Sequence, residues 1–400
     1  MRSSRGAVVA VLLSLIGIGL CAYLTYVHIA LLRGELVGGA ACGAAGSIFN
    51  CHAVTASALG RLFGIPLSLW GLVGYLATLS LAFIAWQFSD WADRALTALV
   101  ALSLLFVLVD ARLLVGMLVE IRYVCPLCLL TYAVNLLLLA LSAWALARPW
   151  PQIFRQVPAA LIELLPRPRV PVVWILWGVV ATGAAGIVSV HAATTFISQG
   201  PPGTLRKQME AYVSQQHRVS VDTSGNPTIG AAQPAVRIVE FSDFFCPSCQ
   251  RASQFNPIIV ASHRKEASFT FKHFPLDMAC NDTVRRTMHP NACRIAAAAA
   301  CAHEQGKFWP FHDRVFEKGP AYNVADLERD ASRAGLELPA FRSCLESGRG
   351  LERVKRDIAE AGRLGVNSTP TYFINGIQIV GALTPVMFDE LLRAVRESGS

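Results

Sequence analysis

Five apolar stretches, each about as long as a helix must be to cross a hydrocarbon core of about 30 Å, crowd the first half of this chain: Ala7–Leu32, Pro66–Gln87, Arg94–Val119, Cys125–Ala147 and Val172–Val190. A water-soluble domain has no way to bury so many continuous runs, so this half is read as a bundle of membrane helices. Composition agrees, because only 16% of the residues are charged, against about 25% in soluble domains. The first stretch is too long for a signal-peptide core and lacks a clear small-residue cleavage site before Arg33; it is expected to remain as an uncleaved helix.

Charge sets the orientation. Residues 1–200 hold 11 Arg, no Lys and 6 acids, and the rest holds 24 basic and 21 acidic residues. The apolar half therefore carries +5 of the formal +8, which argues against a nucleic-acid patch. Arg2 and Arg5 precede span one, and Arg148, Arg155, Arg167 and Arg169 lie between spans four and five. An even number of crossings puts both groups on one side, expected to be cytoplasmic. The other side receives the loop 33–65, the turn Glu120–Val124 and everything after residue 191. The cysteines expected in disulfides all fall there, in a compartment where disulfides persist.

Past Gln199–Thr204 a tether with a short helix is expected to about Gln233, followed by soluble-domain grammar. Ala235–Phe241 alternates as a strand, Cys246 opens a helix, Phe269–Phe274 reads as a strand and Ile295–Gln305 as an alanine-rich helix. Thr371–Ile374 and Gln378–Val380 flank an Asn375-Gly376 hairpin turn. The divisions are a transmembrane domain 1–150, a cytoplasmic connection with the fifth span 151–198, a linker 199–230 and an α/β domain 231–400.

Eleven cysteines include two C-x-x-C pairs, Cys125 with Cys128 and Cys246 with Cys249. Leu129 and Gln250 stand where covalent haem attachment needs His. A four-cysteine zinc site needs such pairs about 15–20 residues apart, and these are more than a hundred apart, so thiol chemistry without a metal is expected. Cys246, placed after a strand at a helix start, faces unpaired amides that favour thiolate; it is the expected attacking sulfur, and Cys249 resolves the mixed disulfide. Glu240 is either a partly buried carboxylate that exchanges a proton with Cys249 or a solvated strand-end acid. Pro370, just before a strand, predicts a cis Thr369–Pro370 bond.

With strand, Phe244-Phe245-Cys246-Pro247-Ser248-Cys249 helix, helical insertion and Thr369-Pro370 before a hairpin, residues 228–396 resemble the DsbA-like branch of the thioredoxin superfamily. The resemblance implies an α/β thioredoxin fold with a helical insertion, in which Thr369 and Pro370 face the active disulfide and help hold a substrate polypeptide. Structural bridges Cys280–Cys293 and Cys301–Cys344 are expected in the insertion, although four cysteines allow three connectivities.

In the apolar half, Cys125-Pro126-Leu127-Cys128 begins span four at the outer face, and Cys42 and Cys51 lie in a Gly- and Ala-rich loop able to shuttle between fixed dithiols. Cys21 remains as a packing residue inside span one. Loop cysteines, Ser57 six residues after Cys51, Phe63-Gly64-Ile65-Pro66 and Tyr132 four residues after Cys128 resemble the vitamin K epoxide reductase family over residues 7–147. That resemblance implies a four-helix bundle, here with a fifth helix, whose C-x-x-C faces a quinone of ubiquinone or menaquinone type, with Ser57 and Tyr132 lining the pocket. Their plainer readings are a helix cap and an interfacial aromatic. Animal members also use an asparagine in span two, and no Asn occurs between Pro66 and Gln87. Asp110, deep in span three, is a proton or packing site, Arg112 is not on its helical face, and His28 reads as an interfacial histidine.

Together these readings describe a bacterial inner-membrane thiol oxidase with its C-terminal domain on the periplasmic side. Electrons would pass from reduced secreted or periplasmic proteins to Cys246/Cys249, to Cys42/Cys51, to Cys125/Cys128 and to the quinone. A membrane-tethered disulfide isomerase or reductive relay uses the same cysteines, and a polypeptide-binding module with purely structural cysteines is the non-enzymatic alternative.

Overall fold

A computed structural model describes residues 2–37, 42, 48–166, 170–199 and 203–398. Arg167, Arg169, Pro201, Pro202 and most of the Gly- and Ala-rich loop lie outside the described residues. The chain divides into two compact units near residue 200.

Among the described residues of the first unit, five helices are long and apolar enough to cross a membrane: Ser4–Leu32, Leu67–Gln87, Ser89–Ile121, Pro126–Leu146 and Pro171–Ile197. Span one packs on spans two and four, span four also on span three, and span five on span two. Small residues let these helices approach closely. A Cβ on Gly17 would come within 2.2 Å of the Tyr75 ring, and one on Gly71 within 2.7 Å of Cys21 Sγ. Hydrogen bonds Ser14–Thr78 at 2.9 Å and Thr25–Ser68 at 3.0 Å join spans one and two. At one end of the bundle Arg148 pairs with Asp93 at 2.7 Å and Arg94 with Glu163, which brings the connections after spans two and four together. The second of these forms a helix, Trp150–Glu163, that buries Ile153 and Ala160. At the other end lie a short helix Cys51–Ala56, capped by the Asn50 side chain, and a small hairpin of β1 (Arg61–Leu62) and β2 (Ile65–Pro66).

The second unit is built on a five-stranded sheet, β3 (Thr228–Gly230), β4 (Val236–Ser242), β5 (Ala267–His273), β6 (Thr371–Ile374) and β7 (Ile377–Val380), in the order β3-β5-β4-β6-β7. Only β4 and β5 run parallel, joined by the Pro247–Ser262 helix in the long crossover that parallel strands require. Asn375 and Gly376 both have positive φ, 47° and 85°, as a two-residue hairpin turn of this hand demands. Five helices between β5 and β6 form the insertion, from Ala292–Glu304 to Arg349–Arg363. Lys272 of β5, buried, holds the last of them through Asp357 at 3.2 Å and Glu360 at 2.5 Å. Disulfides Cys280–Cys293 and Cys301–Cys344 are both present.

The 199–230 stretch differs from a simple linker. The helix Thr204–Ser214 packs on the C-terminal helix Pro385–Glu397, with Arg206 on Glu397 at 2.8 Å and the Tyr212 hydroxyl donating to the Gln378 carbonyl at 3.0 Å. β3 then adds an antiparallel edge to β5. Its polar outer face concealed this docking from sequence reading.

Candidate functional site

Cys246 is the N-cap of the Pro247–Ser262 helix, with Pro247 at the first helical position, where proline's missing N–H is no loss. Cys246 keeps 7% of its surface accessible and Cys249 none, while Pro247 and Ser248 are exposed. An incoming sulfur therefore meets Cys246 first. The hydrogen bond from Cys249 and the amides of Cys249 and Ser248 hold the Cys246 thiol down at about 5 despite its burial. Burial, and the neighbouring Cys246, push Cys249 well above the ordinary thiol value. The pair is thus polarised into an attacking thiolate and a protonated resolving thiol. Thr369–Pro370 is cis, and the Cys246 S–H points at the Thr369 carbonyl, 3.4 Å away.

Glu240 lies on β4 opposite Tyr372 of β6. It is 1% exposed, and Asn256 donates to its carboxyl at 2.6 Å while Tyr372 donates to Asn256 at 3.4 Å. Burial raises its carboxyl to about 7, with the Asn256 bond only partly opposing. The solvated reading is therefore replaced by a buried carboxyl, electrostatically coupled to both cysteines.

In the first unit the sulfurs lie close together. Phe49 bridges to Val124, and the Asn50 N–H donates to the Val124 carbonyl at 3.0 Å. This fixes Cys51, at 0% exposure, against the start of span four, where the Leu127 N–H reaches its sulfur. Cys42 is also buried and shares a hydrogen bond with Cys51, which holds Cys42 below and Cys51 above the ordinary thiol value. Leu127 sits inside the Cys125–Cys128 motif, whose two cysteines form a disulfide. Cys125 caps span four, and its sulfur accepts from the Cys128 N–H at 3.1 Å.

Cys128 also faces a cavity of about 380 Å³ inside the bundle, lined mostly by apolar side chains of spans one to four. Its few polar groups are grouped. Asn135 of span four donates to Asp110 Oδ2 at 2.7 Å and accepts from the Tyr75 hydroxyl at 2.7 Å. Asp110 and Tyr132 are on the wall, and Arg112 turns away to pair with Glu120 at 3.1 Å. His28 is 6% exposed, it lines the cavity, and its Nδ1 has no hydrogen-bond partner. Cys21 also forms part of the wall. Ser57 is not among the lining residues, because it ends the Cys51–Ala56 helix and its buried hydroxyl donates to the Val54 carbonyl at 2.7 Å.

Sequence reading missed Asn135 and Tyr75. The signal was a lone amide and a lone phenol within two apolar runs, features that an uncharged residue in a membrane helix shares with ordinary packing. Among the described residues no cluster of three or more His, Cys, Asp or Glu is arranged to hold a metal.

Residues 8–143 match the model of the vitamin K epoxide reductase family, and residues 237–393 that of the DSBA-like thioredoxin domain. Among curated proteins, the Na(+)/H(+) antiporter NhaA 3 of Salinispora tropica is 34% identical over 158 residues, 40% of this chain and 23% of that protein. The antiporter NhaA of Herminiimonas arsenicoxydans is 29% identical over 167 residues, 42% of this chain and 25% of that protein. The chain thus spans about a quarter of these relatives' length. Among solved structures, a thioredoxin-like oxidoreductase from Silicibacter pomeroyi has 22% identity and a TM-score of 0.37, covering 44% of this chain and 94% of that one. Oxidised BdbD from Bacillus subtilis has 21% identity and a TM-score of 0.38, covering 46% and 98%.

Proposed function

We propose that this chain, which joins a segment of the vitamin K epoxide reductase family to a DSBA-like thioredoxin domain, is a membrane-bound thiol–disulfide oxidoreductase that makes protein disulfides and delivers the electrons to a quinone. The observation that carries the reading is the contiguity in the first unit of Cys42, Cys51, Cys125–Cys128 and a largely apolar cavity with Cys128 in its wall.

The thiolate of a reduced secreted protein attacks Cys246 of the Cys246–Cys249 disulfide and displaces the Cys249 sulfur, which Glu240 is placed to protonate. A second substrate thiol then attacks the mixed disulfide, so the substrate leaves oxidised and Cys246/Cys249 leave as a dithiol. Exchange with a Cys42–Cys51 disulfide restores the pair, and the Cys42/Cys51 dithiol passes its electrons to Cys125–Cys128. Each exchange breaks one S–S bond, forms one, and moves two electrons and two protons.

The cavity suits a quinone head and the first part of its tail. Its volume is in the range of small-ligand sites, and a buried, unpartnered His28 Nδ1 and the Tyr75–Asn135–Asp110 chain offer hydrogen bonds within an apolar wall. A quinone accepts two electrons and two protons for every disulfide formed. Tyr132, Asn135 and His28 would hold it, and Asp110 would orient Asn135. By the positive-inside argument the thiols lie on the periplasmic side of the bacterial inner membrane, where reduced secreted proteins are the substrates.

Purified protein supplied with a reduced, unfolded substrate should reduce a ubiquinone or menaquinone analogue, followed by the quinone's absorbance. Cys246→Ser and Cys42→Ala should each abolish it. Turnover that survives Cys42→Ala would remove the shuttle. Predominantly reduced Cys246 in cells with functional quinone would favour an isomerase or reductive relay instead.

A further inference from the structure

The thiolate at Cys246 has no cation within its own motif. Pro247 and Ser248 bring no charge, and the nearby side chains of the strand and its exit loop, Glu240 and Asp243, are acids. Asp243 is nonetheless built into the site. Its carbonyl accepts the Cys246 N–H at 3.1 Å, and its own N–H reaches the Cys249 sulfur. Its side chain is 0% exposed, and the carboxylate accepts from the Phe245 N–H at 2.8 Å, the Leu276 N–H at 2.7 Å and His289 Nδ1 at 2.8 Å. A buried carboxyl that accepts from three donors holds its histidine in one place.

His289 arrives from far along the chain, in the loop closed by the Cys280–Cys293 disulfide. Its N–H and that of Met288 both donate to the Leu276 carbonyl, at 3.1 and 2.9 Å, so the ring is set by backbone as well as by Asp243. The Asp243 bond first, then the charges of Asp243 and the Cys246 thiolate, raise His289 above the ordinary histidine value against its burial. The groups that bear on it are Asp243 from the β4 exit and Cys246 from the helix start. On its own loop, Asp277 is engaged by the Ala279 N–H at 3.1 Å, Thr287 at 3.3 Å and the Cys293 N–H at 3.5 Å.

We propose that His289, anchored by Asp243, is the positioning residue whose imidazolium charge stabilises the Cys246 thiolate and so makes the Cys246–Cys249 disulfide a stronger oxidant. It rests on the reading of Cys246 as the attacking thiol and adds the residue that sets its leaving-group quality. Protonated His289 favours the dithiol form, because only that form carries a thiolate for the cation to face; neutral His289 leaves the Asp243 charge uncompensated and opposes it.

The test uses the full-length chain in detergent. Alkylation of Cys246 by iodoacetamide is followed against pH through the mass of its peptide, and the Cys246–Cys249 pair is equilibrated with glutathione. His289→Gln keeps an N–H for Asp243 and removes the charge. It should raise the alkylation midpoint by about one pH unit and shift the glutathione equilibrium about tenfold toward the disulfide, while the thermal transition stays in place. A midpoint and equilibrium within twofold of the native protein would overturn the proposal. Should the variant not fold, the native curve decides: it must carry a second, shallower step at the titration of His289, and a single step overturns the assignment. Cys246→Ser is the control for the underlying reading, since quinone reduction that persists in it would refute that reading whatever His289 does.

Discussion

Polarity at single residues is where this chain's chemistry is set. Glu240 is a carboxyl that burial keeps protonated to about pH 7, so the native state holds a proton that the unfolded chain has already released. Stability therefore falls as pH rises from the ordinary carboxyl value, by about 1.4 kcal/mol per unit, and levels off above about pH 7 after a loss of roughly 3 kcal/mol. Reduced Cys246 has the opposite sign, since its depressed thiol adds stability as pH climbs above about 5. The two separate cleanly in the oxidised protein, where neither cysteine titrates. There, Glu240→Gln should flatten the urea-unfolding free energy of the second unit between pH 5 and 8, and it should slow release of the mixed disulfide about tenfold. A native-like slope in that variant would assign the pH dependence elsewhere. The cysteines and Glu240 were legible because one strand and one helix start carry them within ten residues. Asp243–His289 was not, because its partners are 46 residues apart and meet only through the fold of an irregular loop.

Elements decide what surrounds those residues. Span two has no asparagine, yet an amide reaches the cavity from span four, where Asn135 sits between Asp110 and Tyr75. Asn135→Ala leaves the Asp110 carboxyl without its donor, at about 1–3 kcal/mol, while the Tyr75 hydroxyl keeps the Thr131 carbonyl at 3.3 Å. Quinone reduction is expected to fall at least tenfold with a raised KM, while exchange between Cys42/Cys51 and Cys125–Cys128, read by alkylation trapping, stays native. The insertion offers a test of another kind. Cys301–Cys344, with a sequence separation of 43, closes a loop whose entropy corresponds to about 4 kcal/mol, and a Cys301→Ala/Cys344→Ala double variant should lower the urea midpoint of the second unit accordingly. Spans and the Asn375-Gly376 hairpin were legible because a single periodicity or turn signal defines each. The Trp150–Glu163 helix and the docking of Thr204–Ser214 were not, since short amphipathic pieces take their places from partners distant in sequence.

On the scale of the whole molecule, two units with separate cores share one chain, and the electron path needs only that the Cys246/Cys249 dithiol meet Cys42–Cys51. Covalent linkage turns that meeting into an intramolecular event at an effective concentration of about a millimolar. For separate units at micromolar concentration the encounter would be roughly a thousandfold rarer, unless a strong interface compensates. A protease site inserted at 200–202, cleaved after purification, therefore isolates the contribution of linkage without altering a sulfur. Cleavage should lower substrate-driven quinone reduction by a hundred- to a thousandfold at 1 micromolar protein, an estimate that follows from the same ratio. Direct reduction of the first unit by dithiothreitol should be unaffected, and adding the second unit back at about millimolar concentration should restore the rate. Unchanged turnover after cleavage would mean that the units hold each other by contact, and that linkage does not set the rate.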